Sequence, residues 1–147
     1  MPDTLTAALC YLPHGPEFRF VDRLLSLEPG QYGAGEYKVR GDETFLRGHF
    51  PGQPMMPGVL LVEAAAQLAG TVAQSDPEIP PFPGLKLTAV RGAKILGTAR
   101  PGDTVRLEAR VTGRLGHLVQ ALAEAAVNGR TVLQVELTLS GETSATH

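Results

Sequence analysis

One stretch restricts the fold more than any other. Residues 59–73, VLLVEAAAQLAGTVA, are apolar almost all round a helical wheel, with Glu63 the one charged side chain. A surface helix keeps a polar face, so a helix without one has to be enclosed by other elements. Pro57 suits the first helical turn, where its missing N–H costs nothing, and Gly58 follows it. Glu63, Gln67 and Gly70 interrupt the run, which is also shorter than the roughly 20 residues a membrane span requires. The stretch therefore reads as the central helix of a core, and no membrane association is expected.

The chain has 147 residues, which predicts one domain over 1–147. A domain of that length buries about 68–70% of its unfolded surface. A net charge of −2 lacks the basic excess of a nucleic-acid binder. Cys10 is the single cysteine, so neither a disulfide framework nor a cysteine-based metal site is expected. A reducing, cytoplasmic location is the corresponding expectation. The N-terminus has no arginine or lysine before Arg19 and so lacks the basic start of a signal peptide.

The remaining segments supply the enclosure. Residues 3–11 predict a short N-terminal helix that Leu12-Pro13 ends, so the helix occupies about 1–12. Residues 18–27 read as a strand, although Leu24-Leu25 blurs the alternation, and Glu28-Pro29-Gly30 as a turn. Residues 32–40 place Glu36, Lys38 and Arg40 on one face and Tyr37 and Val39 on the other. Residues 76–84 hold four of the twelve prolines and predict a loop or lid.

Three strands are expected to finish the chain. Val105, Leu107, Ala109 and Val111 alternate with charged residues. Residues 118–127 are alanine-rich and helical by propensity, but Asn128-Gly129 favours the type I′ turn of a hairpin and makes them a strand. Leu133, Val135, Leu137 and Leu139 alternate after it, and 141–147 read as a frayed tail. The inventory is α+β: a long central helix wrapped by a curved, mostly antiparallel sheet, the hot-dog arrangement. Its open sheet edges make pairing into a dimer the expected assembly.

The approach to the helix carries the chemistry. His49 lies in a loop with Gly48, Pro51, Gly52 and Pro54, and its unperturbed pKa near 6.5 suits either base or acid work. On residue type alone, a lone loop histidine is more often structural than catalytic. Glu63 has apolar neighbours that predict burial, which would raise its pKa and make it a proton donor. The N–H groups at the helix start, that of Gly58 among them, are able to polarise a carbonyl. A base, an acid and an oxyanion donor suit proton removal next to a carbonyl, with loss or gain of water at the β-carbon. The stretch has no serine or cysteine nucleophile, which disfavours an acyl-enzyme.

These residues extend into a longer pattern. Leu12-Pro13-His14, Phe18 and Val21-Asp22-Arg23 open it. Gly48-His49-Phe50-Pro51-Gly52, Pro54, Met56-Pro57-Gly58-Val59-Leu60, Glu63-Ala64 and Ala66-Gln67 form its centre, and Ala93-Lys94 and Pro101-Gly102-Asp103 follow. The pattern resembles that of the 3-hydroxyacyl-[acyl-carrier-protein] dehydratases of bacterial fatty-acid synthesis, of the type without isomerase activity. The resemblance implies that His49 takes the α-proton and that Glu63 helps expel the β-hydroxyl. It implies that the Gly58 N–H binds the thioester oxygen, with Gln67 supporting the site. It further implies no metal or redox cofactor, the substrate being carried on the phosphopantetheine of acyl carrier protein or on CoA.

The same resemblance implies a homodimer, further assembled into hexamers as a trimer of dimers. Each site then takes its histidine from one subunit and its acid from the other. The sister dehydratase/isomerases carry aspartate where this chain has Glu63. There are departures: Gln53 replaces a histidine, and Gly15, Pro16 and Glu17 replace basic and aromatic residues. Ile95-Leu96-Gly97-Thr98 stands where the family reads F-R-R-P, removing two arginines from a carrier-docking patch that Arg91, Lys94 and Arg100 could still supply. His14, His117 and His147 have no acid paired with them and read as non-catalytic. An enoyl-CoA hydratase, a thioesterase and a non-catalytic acyl-binding partner are the alternatives on the same fold.

Overall fold

The computed structural model describes residues 18–46 and 54–142. The N-terminal helix expected at 1–12 and the loop carrying His49 lie outside the described residues.

The first two strands are β1 (Arg23–Glu28) and β2 (Tyr32–Lys38), joined by a tight turn. A 3₁₀ turn, Thr44–Leu46, precedes the central helix α1 (Gly58–Gln74). Then come β3 (Lys86–Ile95), β4 (Thr104–Leu115), β5 (Leu118–Val127) and β6 (Arg130–Ser140). They form one six-stranded sheet in the order β1-β2-β4-β5-β6-β3, with every pairing antiparallel.

Four strands follow the helix, where three were expected. The one missed is β3, and its lack of alternation has a physical cause. Among the described residues it is an edge strand paired with β6 alone, and nearly every residue in it is exposed. Its register also shifts twice, between Leu87 and Ala89 and between Arg91 and Lys94, which breaks any period of two. A register shift between Leu24 and Ser26 likewise explains the blurred Leu24-Leu25 pair, and β1 starts at Arg23, later than the alternation suggests. The hairpin signal holds: Asn128 and Gly129 have φ of 53° and 79°, the left-handed pair that a type I′ turn needs.

Small residues let the helix lie close to the sheet. Ala64, Ala65, Ala69 and Ala73 of α1 are buried, as are Ala109 of β4 and Ala121, Ala123 and Ala125 of β5. This close contact explains why β5 is alanine-rich without being helical. On β2, a Cβ at Gly33 would come within 2.6 Å of Val72 Cγ2, so nothing larger than glycine fits under the helix there. Leu61, Leu68, Leu107, Leu133 and Leu137 fill the remaining space and are fully buried. Each contributes about 1.5–3 kcal/mol of transfer free energy.

The C-terminal half of the helix is tied down by polar contacts. Gln74 donates to Phe82 O and accepts from Phe82 N–H, both at 2.8 Å, which pins the proline-rich loop over 76–84. Arg114 donates to Ala73 O, placing a cation at the helix C-terminus. Within the tail expected over 141–147, the N–H groups of Gly141 and Glu142 donate to His117 O and Pro83 O, and residues 143–147 lie outside the described residues. No helix among the described residues is long and apolar enough to cross a membrane.

Candidate active site

The first N–H groups of a helix have no intrahelical acceptor, as an oxyanion donor requires. Met56 N–H donates to Ala99 O at 2.8 Å and fixes the approach. Pro57 occupies the cap position with φ −56° and ψ 139° and makes no side-chain cap hydrogen bond. The Gly58 N–H therefore has no acceptor among the described residues, at the positive end of the helix dipole. Ile95, at the end of β3, lies against it: a Cβ on Gly58 would meet Ile95 Cδ1 at 2.6 Å. The segment flagged in the sequence as a departure thus borders the helix start directly.

Val59, Glu63 and Gln67 are spaced four residues apart and form one stripe along the helix. Exposure falls steeply along it, from 71% at Val59, through a half-buried Glu63, to 2% at Gln67. Glu63 is therefore less enclosed than its apolar neighbours suggest. Among the described residues, Phe18 and Phe20 bond to the stripe at Gln67, while Val59 at its N-terminal end is exposed.

Gln67 uses both ends of its amide. Its Oε1 accepts from Phe20 N–H at 2.8 Å, and its Nε2 donates to Phe18 O at 2.8 Å and to Glu63 Oε2 at 3.1 Å. These bonds fix the amide orientation, because the acceptor has to face the Phe20 N–H. The buried glutamine thus ties the segment before β1 to the helix and holds one carboxylate oxygen of Glu63.

A second polar knot escaped the sequence reading. Phe20 packs edge-on against Tyr37 and Phe45, with ring centroids 5.7 and 5.9 Å away. The Tyr37 hydroxyl donates to Glu43 at 2.7 Å, and Glu43 also accepts from the N–H groups of Arg40 and Gly41. Burial pushes the Tyr37 pKa up, and the Glu43 carboxylate adds to it, so the hydroxyl stays protonated and donates. Burial alone would raise the Glu43 pKa, but these hydrogen bonds outweigh it and hold the carboxyl below its ordinary value. Nothing in the spacing of Tyr37 and Glu43 marks them, since the contact depends on how the chain turns after β2. The knot anchors the 3₁₀ turn that leads into the His49 loop.

The structure thus hydrogen-bonds Gln67 to Glu63 on the helix that Gly58 begins, while His49 lies outside the described residues. Among the described residues no three His, Cys, Asp or Glu side chains are grouped to hold a metal ion.

Comparison with known proteins agrees with the resemblance. The family described as "FabA-like domain" matches residues 12–136. A 3-hydroxyacyl-[acyl-carrier-protein] dehydratase FabZ of Roseiflexus sp. (strain RS-1) is 38% identical over 138 residues, covering 91% of this chain and 93% of that protein. The protein of the same name from Bacillus pumilus is 39% identical over 129 residues, covering 88% and 89%. Among solved structures, the dehydratase heterocomplex ApeI:P from Xenorhabdus doucetiae superposes with a TM-score of 0.77 at 14% identity, covering 91% of this chain and 90% of that one. Zebra fish thioesterase superfamily member 2 superposes at 0.63 and 16%, covering 82% and 80%. At such identities the two structures share the fold alone, and that fold is the hot-dog. The family match and the identity to its curated relatives place the chain in the FabA-like family.

Proposed function

We propose that the chain removes water from 3-hydroxyacyl thioesters to give trans-2-enoyl thioesters, a hydro-lyase reaction of fatty-acid biosynthesis. The substrate is carried on acyl carrier protein, as the names of its relatives indicate. The thioester oxygen sits at the Gly58 N–H, whose dipole stabilises the negative charge that develops there. His49 takes the α-proton, and the electron pair of that C–H bond becomes the new C=C bond. The C–O bond to the β-hydroxyl breaks, and Glu63 supplies the proton with which the hydroxyl leaves as water, directly or through a bridging water. Gln67 keeps the Glu63 carboxyl aimed at the leaving group. No metal or redox cofactor takes part.

One observation carries this reading: a Gly58 N–H with no acceptor among the described residues and a Gln67-held Glu63 lie on adjoining turns of one helix, in a member of this family. The open end of the Val59–Glu63 stripe and the exposed edge of β3 support a site completed by a second copy. Two copies pair through β3, and His49 of one faces Glu63 of the other. The dimers assemble further into a hexamer, and the enzyme works in the cytoplasm.

The test is to follow a panel of 3-hydroxyacyl thioesters, on carrier protein and on CoA, for both enoyl formation and free thiol release. Enoyl product without thiol is expected. Thiol release without enoyl product would establish a thioesterase instead, and binding of the acylated carrier without turnover would establish a non-catalytic partner.

A further inference from the structure

An open cleft of about 330 Å³ lies between the segment after β3 and the β5–β6 hairpin. Thr98, Arg100, Asn128, Arg130 and Thr131 line it, together with Asp103. Neither guanidinium has an ion-pair partner among the described residues. Asp103 offsets part of this charge but makes no ion pair with either guanidinium among the described residues; its Oδ2 accepts from the Arg100 backbone N–H at 2.8 Å and closes the turn at Pro101-Gly102. Two guanidiniums beside two hydroxyls and an amide make a donor-rich cleft, a chemistry that suits phosphate oxygens.

The cleft is mechanically joined to the helix start. On one side, Leu96 N–H donates to Val132 O at 2.7 Å, in the wall of the cleft. On the other, Ala99 O accepts from Met56 N–H, two residues before Gly58, and Ile95 lies against Gly58 itself. One short strap, residues 95–100, therefore separates the proposed thioester position from the cleft. A thioester on a long arm has its carbonyl at one end and its phosphate at the other.

From this juxtaposition we propose that Arg100 and Arg130 bind a phosphate group of the thiol-bearing arm while its thioester reaches Gly58. The inference rests on the thioester reading above. The phosphate comes from the phosphopantetheine of a carrier protein or from the nucleotide end of CoA, and the two sources are separated by experiment.

Binding is measured by calorimetry on the full chain, with phosphopantetheine as probe and phosphate-free pantetheine as control. Wild type is expected to bind phosphopantetheine more tightly than pantetheine. In R100A/R130A that preference should disappear, while R100K and R130K retain part of it. Equal binding of the two probes by wild type, or an unchanged preference in the double variant, overturns the inference without touching the proposed reaction.

Kinetics identify the source. Each single Arg→Ala change should raise KM by roughly 5- to 20-fold for the phosphate-bearing substrate and leave kcat unchanged. A rise confined to the carrier-linked substrate assigns the carrier arm, and one confined to the CoA thioester assigns CoA. An equal rise for a short N-acetylcysteamine thioester, which has no phosphate, would mean a merely structural role and overturn the inference. Wild type that binds as expected but forms no enoyl product from any substrate would instead refute the proposed reaction.

Discussion

Gln67→Met is the sharpest probe of how the site is held. It keeps the length and burial of the side chain and removes all three of its hydrogen bonds. The Phe20 N–H is left unpaired at a residue only 2% exposed, and stranding a buried donor costs about 1–3 kcal/mol. Phe18 is 47% exposed, so water can reach its carbonyl and the cost there is at the low end of that range. The bond to Glu63 is part-buried, and its loss adds about 1 kcal/mol. The sum is about 3–5 kcal/mol, which for a chain of this size lowers Tm by roughly 6–20 °C. Below Tm, kcat should fall about tenfold with KM nearly unchanged, because Glu63 is left misaimed rather than the substrate unbound. Thermal melting followed by circular dichroism and steady-state kinetics at 25 °C read both effects. Gln67→Glu keeps the shape but turns a carboxylate oxygen toward the Phe18 carbonyl and Glu63, so it should be no more stable than Gln67→Met. A Gln67→Met variant within 1 °C of wild type and fully active would refute the assigned role of this glutamine.

Two further predictions follow from neighbouring contacts. Gly58→Ala forces its new methyl against the end of Ile95, so turnover should fall while stability drops by only about 1 kcal/mol, since the half-exposed Ile95 can swing away. Adding Ile95→Ala should recover that stability in a double-mutant cycle, and strict additivity would show that the contact does not matter. The second concerns acid. The Glu43 carboxyl titrates below its ordinary value of 4.5 when folded, so its stabilising contribution is complete above that value and fades as pH falls below it. Wild type should therefore lose Tm relative to Glu43→Gln as pH drops below about 4.5, narrowing the gap between them. A gap that is constant from neutral pH into acid would contradict the hydrogen-bonded carboxylate.

The sequence made the core legible where one surface faces it and hid whatever depends on neighbours far along the chain. The helix and the β5–β6 hairpin could be read directly, because enclosure demands apolar side chains and Asn128-Gly129 demands a particular turn. Strand β3 could not, since an exposed edge strand with shifted register carries no alternation. Gly58, Glu63 and Gln67 were marked by their motif, but what they touch was not. Besides Glu63, the partners of Gln67 are backbone groups of Phe18 and Phe20, and a backbone group has no sequence signature. The partial exposure of Glu63 was also hidden, because hydropathy reports a residue's neighbours along the helix and says nothing of where the sheet stops covering it.

One acid–base site built from two copies of the chain is tested by mixing two disabled variants. His49→Ala and Glu63→Gln should each lose at least about 10²-fold in enoyl formation from a 3-hydroxyacyl carrier thioester. Unfolded together and refolded, they should form mixed dimers in which one site keeps both an intact His49 and an intact Glu63. Random mixing then restores about a quarter of wild-type activity. A mixture as inactive as its components, with mixed dimers present and wild type active under the same conditions, would contradict the shared site. Near-normal activity of either variant alone would contradict the acid–base pair itself.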